Sequence, residues 1–183
     1  MTAAGLLLTG LNTTARELGL ASRVVGKAGD MASPDIAAGS VDLVWSEGAL
    51  YNIGIDRALG VCHPLLRHNG CMVFTDAVWR KPDPPEEVAA SFREDYPGMT
   101  TTAGLVTLIR HSPFQLPGHF TLPDEAWWDD FYTPMEETIA VLRGKYAGDA
   151  RSLEILDLFA REPEMHRHYA DYYAYEFFVL RKV

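Results

Sequence analysis

Gly39-Ser40-Val41-Asp42-Leu43-Val44-Trp45-Ser46-Glu47-Gly48-Ala49-Leu50-Tyr51-Asn52 is the stretch on which the fold turns. Two turn residues, Gly39 and Ser40, precede a short apolar and β-branched run at 41–45, which reads as a strand. A loop carrying Ser46, Glu47, Tyr51 and Asn52 follows, with Gly48 free to bend the backbone. From Ile55 the apolar positions Ile55, Ala58, Leu59, Cys62, Leu65 and Leu66 fall on one helical face. Pro64 is expected to kink or shorten that helix. His68-Asn69-Gly70 reads as a turn, and residues 71–78 form a nearly continuous apolar run, as in a strand buried on both faces. Strand, helix and strand at this spacing predict a βαβ unit in a parallel sheet.

Upstream, residues 13–20 read as the end of a helix with Gly19 near its C-cap. Arg23-Val24-Val25-Gly26-Lys27 is a further strand candidate. Downstream, Pro84-Pro85-Glu86-Glu87 opens a helix that Pro97-Gly98 stops, and 102–111 is a second short helix. Residues 114–122 are strand-like but broken by Pro117-Gly118. Thr133-Pro134-Met135-Glu136 has the form of a capping box with proline at the first helical position. Asp149 is placed to cap another helix, which carries Leu153, Leu156 and Phe159. The aromatic run 173–180 reads as a last strand, antiparallel and at or near a sheet edge.

The chain has 183 residues, enough for one domain with a single core. Hydrophobic residues make up 48% and charged residues 22%, which excludes disorder and fibrous repeats for the whole. The formal net charge of −9 and sequence pI of about 5.0 disfavour nucleic acid as a partner. Cys62 and Cys71 form no CxxC pair, and reduced thiols in the cytoplasm are the expectation. Leu6-Leu7-Leu8 is too short to span a membrane, and no membrane partner is expected. No HExxH or Cys/His set is present, so no metal is expected.

Four places offer chemistry. Asp30, with Met31, follows the 23–27 run, where a carboxylate can accept from an adenine amino group; a plain Gly-Asp turn is the simpler reading. Ser46, Glu47 and Tyr51 stand at the carboxyl end of the 41–45 strand, where binding groups collect, although Ser46 or Asn52 can equally cap a helix. Asp76 and Trp79 end the 71–78 strand, either near a ligand crevice or at a solvated strand end. Trp127-Trp128-Asp129-Asp130-Phe131-Tyr132 places two adjacent tryptophans on a helix, and they cannot both face the core equally. One of them is free to line a pocket or meet a partner, against ordinary core packing as the alternative.

Taken in order, these residues resemble a known family. Ala15-Arg16-Glu17-Leu18-Gly19-Leu20, Gly29-Asp30-Met31, the 39–54 stretch and Asn69-Gly70-Cys71-Met72-Val73-Phe74-Thr75-Asp76 resemble the middle of a class I S-adenosylmethionine-dependent methyltransferase of the small bacterial type. Gly118-His119-Phe120-Thr121-Leu122-Pro123, Trp127-Trp128 and Tyr132-Thr133-Pro134 extend the resemblance over residues 15–181. It implies an α/β, Rossmann-like sheet, mostly parallel with an antiparallel last strand, of order 3-2-1-4-5-7-6. Residues 23–27, 41–45 and 71–78 would be strands 3, 4 and 5. The family's D-x-G-x-G-x-G loop and the acidic end of strand 2 have no counterpart, so the expected sheet is N-terminally incomplete. The implied domain spans 1–183, with 1–80 a residual cofactor half and 81–183 the substrate side.

The resemblance further implies S-adenosylmethionine as cofactor and methyl transfer to a small-molecule acceptor. Asp30 and Met31 would contact adenine, and Ser46 and Glu47 the methionine moiety. Tyr51, Trp79, Trp127, Trp128 and Tyr132 would surround an apolar, aromatic or cationic acceptor, with Asp76 or Glu47 as general base. The alternative is a non-catalytic remnant that serves binding or assembly. Without strands 1 and 2, the 41–45 strand needs new cover. Either the 23–27 run pairs with it, or two chains form a homodimer.

Overall fold

The computed structural model describes residues 3–183, with side chains from residue 5 onward. The chain divides into two compact units, Met1–Ala37 and Ala38–Val183. Residues on both sides of 80 build the one sheet of the second unit.

In the first unit, helix α1 (Ala3–Glu17) is followed by turns and extended chain. The 23–27 segment is not a strand. Its Gly26 amide donates to Asn12 Oδ1 at 2.8 Å, so a side chain satisfies backbone that a sheet neighbour was expected to pair. Arg23 and Val24 amides both donate to the Leu20 carbonyl, which curls the segment into a turn. Val25 is 74% exposed, and Lys27 is tied to Asp35 at 2.9 Å.

The second unit holds a five-stranded sheet. Strand β1 (Val41–Glu47) leads through helix α2 (Ile55–Leu65) to β2 (Leu66–Trp79). Then come α3 (Glu86–Asp95), the two-residue β3 (Thr100–Thr101), α4 (Thr102–Arg110) and β4 (Phe114–Thr121). A helical run of three pieces, α5 (Glu125–Trp127), a π-helical turn (Trp128–Tyr132) and α6 (Thr133–Lys145), precedes α7 (Ala150–Tyr169) and β5 (Tyr173–Lys182). The order is β1-β2-β5-β4, with β3 on β2 beyond the end of β1. β1 and β3 run parallel to β2, and β5 runs antiparallel to both β2 and β4. One strand therefore opposes four, and it is the last, as expected. The order reproduces the 4-5-7-6 end of the methyltransferase sheet.

Local chemistry explains the elements. Pro64 shortens α2, which ends at Leu65 with Leu66 already extended. His68-Asn69-Gly70 is a bulge within β2, not a turn before it: Val41 pairs with Leu66, but Leu43 pairs with Cys71. A Cβ on Gly70 would meet the Arg67 carbonyl at 3.0 Å and that of Asp42 at 3.2 Å, so a side chain there would have to push backbone aside by a few tenths of an ångström. Asp149 does cap α7, accepting from the Arg151 amide at 3.1 Å. The expected box at Thr133 does not form, because α6 continues from the π-helical turn without an exposed start. β5 lies one strand in from the edge, and β4, bent between Gln115 and Gly118, is the edge itself.

The core packs α2 and α4 onto one face of the sheet through Leu59, Ile109, Met72, Phe74, Phe178 and Leu180. Phe74 and Phe178 stack at 5.0 Å across paired positions. The opposite face carries Thr75, Ala77, Tyr175 and Phe177. β1 pairs with β2 and with no second strand among the described residues. On β1, Leu43 is 50% and Trp45 57% exposed. No helix among the described residues is long and apolar enough to cross a membrane.

Phe178 is fully buried, so Phe178→Ala is expected to cost about 3–5 kcal/mol of stability. Val141→Ala, on the exposed side of α6, is expected to stay within about 0.5 kcal/mol. Urea denaturation of the two variants measures the contrast.

Candidate functional site

Two cavities lie at the carboxyl ends of β1 and β2, on the side of Thr75, Ala77 and Tyr175, where ligands bind in open α/β sheets. One, of about 640 Å³, is lined by Glu47, Gly48, Thr75, Trp127, Phe131 and Tyr175 among others. The other, of about 610 Å³, is lined largely by aromatic rings: Tyr51, Phe92, Tyr96, Trp127, Tyr132, Tyr173 and Tyr175. Trp127, Glu162 and Tyr175 line both, so the cavities adjoin there.

The backbone sets this junction. Tyr175 pairs with Ala77 across β2 and β5, and the small partner leaves room beside the ring. Trp127 stacks on Tyr175 at 4.8 Å and 24°. Gly48 has φ 52°, and a Cβ there would lie 2.9 Å from the Tyr175 hydroxyl. Its amide donates to Thr75 Oγ1 at 3.0 Å, which holds the loop over the end of β2. At the π-helical turn Tyr132 is buried, while Phe131 lies half exposed on the other cavity.

A polar network backs the aromatic cavity. Tyr96 donates to Asp76 Oδ2 at 2.6 Å, and its ring packs on Tyr51 at 5.1 Å. Tyr132 donates to Glu162 Oε1 at 3.4 Å. His166 is buried, with Nδ1 3.0 Å from the Tyr173 hydroxyl and Nε2 2.8 Å from Asp124 Oδ1. Trp127 stacks on its ring at 4.6 Å. Burial drives the hydroxyls of Tyr96, Tyr132 and Tyr173 well above their ordinary range. Burial, then the charges of Asp76 and Glu162 and the neighbouring Tyr51, pushes Tyr175 up to about 12. Desolvation in the crevice raises Glu162, against the Tyr132 hydrogen bond.

The structure sorts the candidates. Tyr51, Trp127 and Tyr132 come together on the aromatic cavity, and Glu47 lines the other with Oε1 accepting from Trp45 Nε1 at 2.7 Å. Ser46 alternates to the other sheet face, opposite Phe74. Trp79 lines neither cavity and packs edge-on against Phe92 at 5.3 Å. Trp128 turns away beneath the Arg167 guanidinium, 4.5 Å from its ring. Asp30 and Met31 belong to the first unit, where Asp30 Oδ1 accepts from the Ala32 amide at 2.8 Å in an Asx turn. Asp76 is not a solvated strand end. It has no exposed surface, faces neither cavity, and its Oδ1 has no partner. Its link to the cavity lining is the hydrogen bond from Tyr96.

Sequence reading missed Tyr96, Glu162, His166, Tyr173 and Tyr175, which stand in no recognisable motif. It also missed Glu176, buried away from the cavities, where it accepts from Thr121 Oγ1 at 2.7 Å and pairs with His119. A lone Glu inside the apolar run 173–180 was the available signal.

Burial pushes the Asp76 carboxyl up to about 6, against hydrogen bonds from Tyr96 and the Ala77 backbone. Below pH about 4 the acid is neutral in both states and costs nothing. As pH rises toward 6 the unfolded chain ionises first, and stability falls by roughly 3 kcal/mol in total, at 1.36 kcal/mol per pKa unit. Asp76→Asn keeps an acceptor for Tyr96 and does not titrate. Denaturation from pH 4 to 7 should show a flatter profile for it than for the parent, and equal slopes would refute the assignment.

No protein-family model matches the chain, and no curated protein matches it in sequence. Solved structures do match. An S-adenosylmethionine-dependent methyltransferase from Geobacter sulfurreducens, in complex with S-adenosyl-L-homocysteine, aligns at TM-score 0.79 and 20% identity, over 97% of this chain and 72% of that one. Its counterpart from Thiobacillus denitrificans aligns at 0.78 and 18%, over 97% and 72%. The [4+2]-cyclase SpnF aligns at 0.72 and 20%, over 96% of this chain, which spans 62% of that protein's length. Together with the strand order, these likenesses establish that the chain has the fold of the class I S-adenosylmethionine-dependent methyltransferases.

Proposed function

We propose that the chain binds S-adenosylmethionine and transfers its methyl group to a small-molecule acceptor. The observation that supports this most is the pair of adjoining cavities at the carboxyl ends of β1 and β2, one edged by Glu47 and Gly48 and the other walled by aromatic rings. Glu47 supplies a carboxylate suited to an amino group, and Gly48 supplies close backbone approach. These residues fit the methionine end of the cofactor. When bound, the cofactor supplies an electrophilic methyl group.

The chain's own residues do the rest. Trp127, Tyr132 and Tyr175 orient the acceptor and exclude water, so that positioning provides most of the rate. Glu162 stands where the cavities adjoin, and its raised proton affinity is the direction a general base at neutral pH needs. Asp76 is a positioning residue that fixes Tyr96. The adenine contacts at Asp30 and Met31 rest on the resemblance alone.

One feature favours a second reading, a non-catalytic binding or assembly module. None of the 183 residues spells D-x-G-x-G-x-G. Calorimetric titration with S-adenosylhomocysteine separates the two, because saturable binding is expected of the first and none of the second. Leu43 and Trp45, exposed on one face of β1, support a homodimer as part of either reading. Sedimentation equilibrium tests it against a monomer of 20.3 kDa.

Gly48→Ala places a methyl group against Tyr175 and strains a positive φ. It is expected to cost about 1–3 kcal/mol in stability and to weaken S-adenosylhomocysteine binding. Tyr175→Phe removes the clashing oxygen, so the double variant should recover part of both losses. Equal additive losses would mean that the two residues do not meet.

A further inference from the structure

We propose that the cleft between α3 and α7 takes an amphiphile, with a hydroxyl or amino head in the aromatic cavity beside Glu162 and an apolar tail along Ile155, Leu158 and Phe159; this rests on the methyltransferase reading and names its acceptor class. The two walls of the cavity differ. α3 brings Glu94 and Asp95 to one side, and α7 brings Leu158, Phe159 and Met165 to the other. Leu158 is 61% exposed and Phe159 52%. Ile155, which lies outside the cavity, is 48% exposed. Steps of three, four and seven residues put Ile155, Leu158, Phe159 and Glu162 on one face of the helix. From Ile155 to Glu162 is roughly 10 Å along the axis at the α-helical rise. The stripe therefore begins outside the cavity and ends at the carboxylate where the two cavities adjoin.

The core does not use these side chains. α7 packs inward through Leu156, Pro163 and His166, which are buried. Charged residues flank the stripe: Arg161, and Asp157, which pairs with Arg143 at 2.5 Å. Exposed apolar surface rimmed by charges and continuous with a cavity has the form of a ligand groove. Three side chains are far too little for a stable protein interface, which takes about 800 Å² from each partner. The apolar end of a small molecule held in the cavity is of the matching size. The inner end of the stripe asks for a polar head. Tyr132 donates to Oε1 of Glu162, which leaves Oε2 for an O–H or N–H of the occupant. A plain hydrocarbon would bury that oxygen without a donor. A cavity of about 610 Å³ is of small-molecule size.

Straight-chain primary alcohols test this with one head and a growing tail. Binding of butanol, hexanol and octanol to the full chain is followed by calorimetry, with and without saturating S-adenosylhomocysteine. Affinity is expected to rise about two- to fourfold for each added methylene, as for a methylene that is partly to fully buried. S-Adenosylhomocysteine is expected not to displace octanol. Ile155→Ser should weaken octanol roughly threefold and leave butanol unchanged. The double variant Leu158→Ser, Phe159→Ser should flatten the whole series, with circular dichroism confirming the fold of each variant. Affinity independent of tail length, no binding of any alcohol, a slope that the variants keep, or displacement by S-adenosylhomocysteine would overturn the inference. So would a parent dimer that the double variant dissolves in sedimentation equilibrium, because the stripe would then belong to a second copy. The outcomes separate the two readings. Length-dependent binding in a chain that ignores S-adenosylhomocysteine removes the methyl-transfer reading and keeps an amphiphile-binding cleft. S-Adenosylhomocysteine binding without length dependence does the reverse.

Discussion

The ladder between β2 and β5 is the constraint on which the rest of the molecule depends. It runs without interruption from Cys71 opposite Arg181 to Trp79 opposite Tyr173. It inserts the end of the chain between β2 and the β4 edge, and so joins segments about a hundred residues apart. Each face of the ladder has a separate task. One stacks Phe74 on Phe178 and closes the core over α2 and α4. The other presents Ala77 beside Tyr175 and makes the floor of the cavities. A one-residue slip would exchange the two faces, so the register that builds the core also aims the site.

How much of this could be read from the sequence depended on how local the cause was. The 71–78 strand, the shortened helix at Pro64, the Asp149 cap and the antiparallel last strand each follow from neighbours in the chain, and each was legible. The 23–27 segment was not, because its fate hangs on Asn12, fourteen positions away, whose side chain takes the amide that a strand would have paired. The site shows the same division. Trp127 and Trp128 were read as unable to share one environment, and they do not. Which of them faces the cavity was set by the π-helical turn, and nothing in Trp128-Asp129-Asp130-Phe131-Tyr132 announces an i→i+5 bond. Asp76 ends an apolar strand, a position that points to a ligand crevice or to a solvated end and not to full burial. Tyr96, from the far end of α3, seals it.

Glu162 and His166 show why the candidate site was half visible. Both sit on α7, where spacing alone marks Glu162 as solvated and His166 as core. Their roles arise only when α7 lies across the start of β5 and beside Tyr132. The resulting chain of polar contacts, from Asp124 through His166 to Tyr173, crosses three elements and has no sequence signature.

The π-helical turn at Trp128–Tyr132 makes the site sensitive to length and not only to composition. A π-turn holds one residue more than the α-helical turn it replaces. Deleting Asp129 or Asp130 would let the helix close to α geometry while the flanking helices kept their facing, because a π-turn absorbs its extra residue locally. The change would be confined to the turn, where Tyr132 meets Trp127 and Glu162. A gap there would reshape the wall of the aromatic cavity and leave the rest of the fold in place.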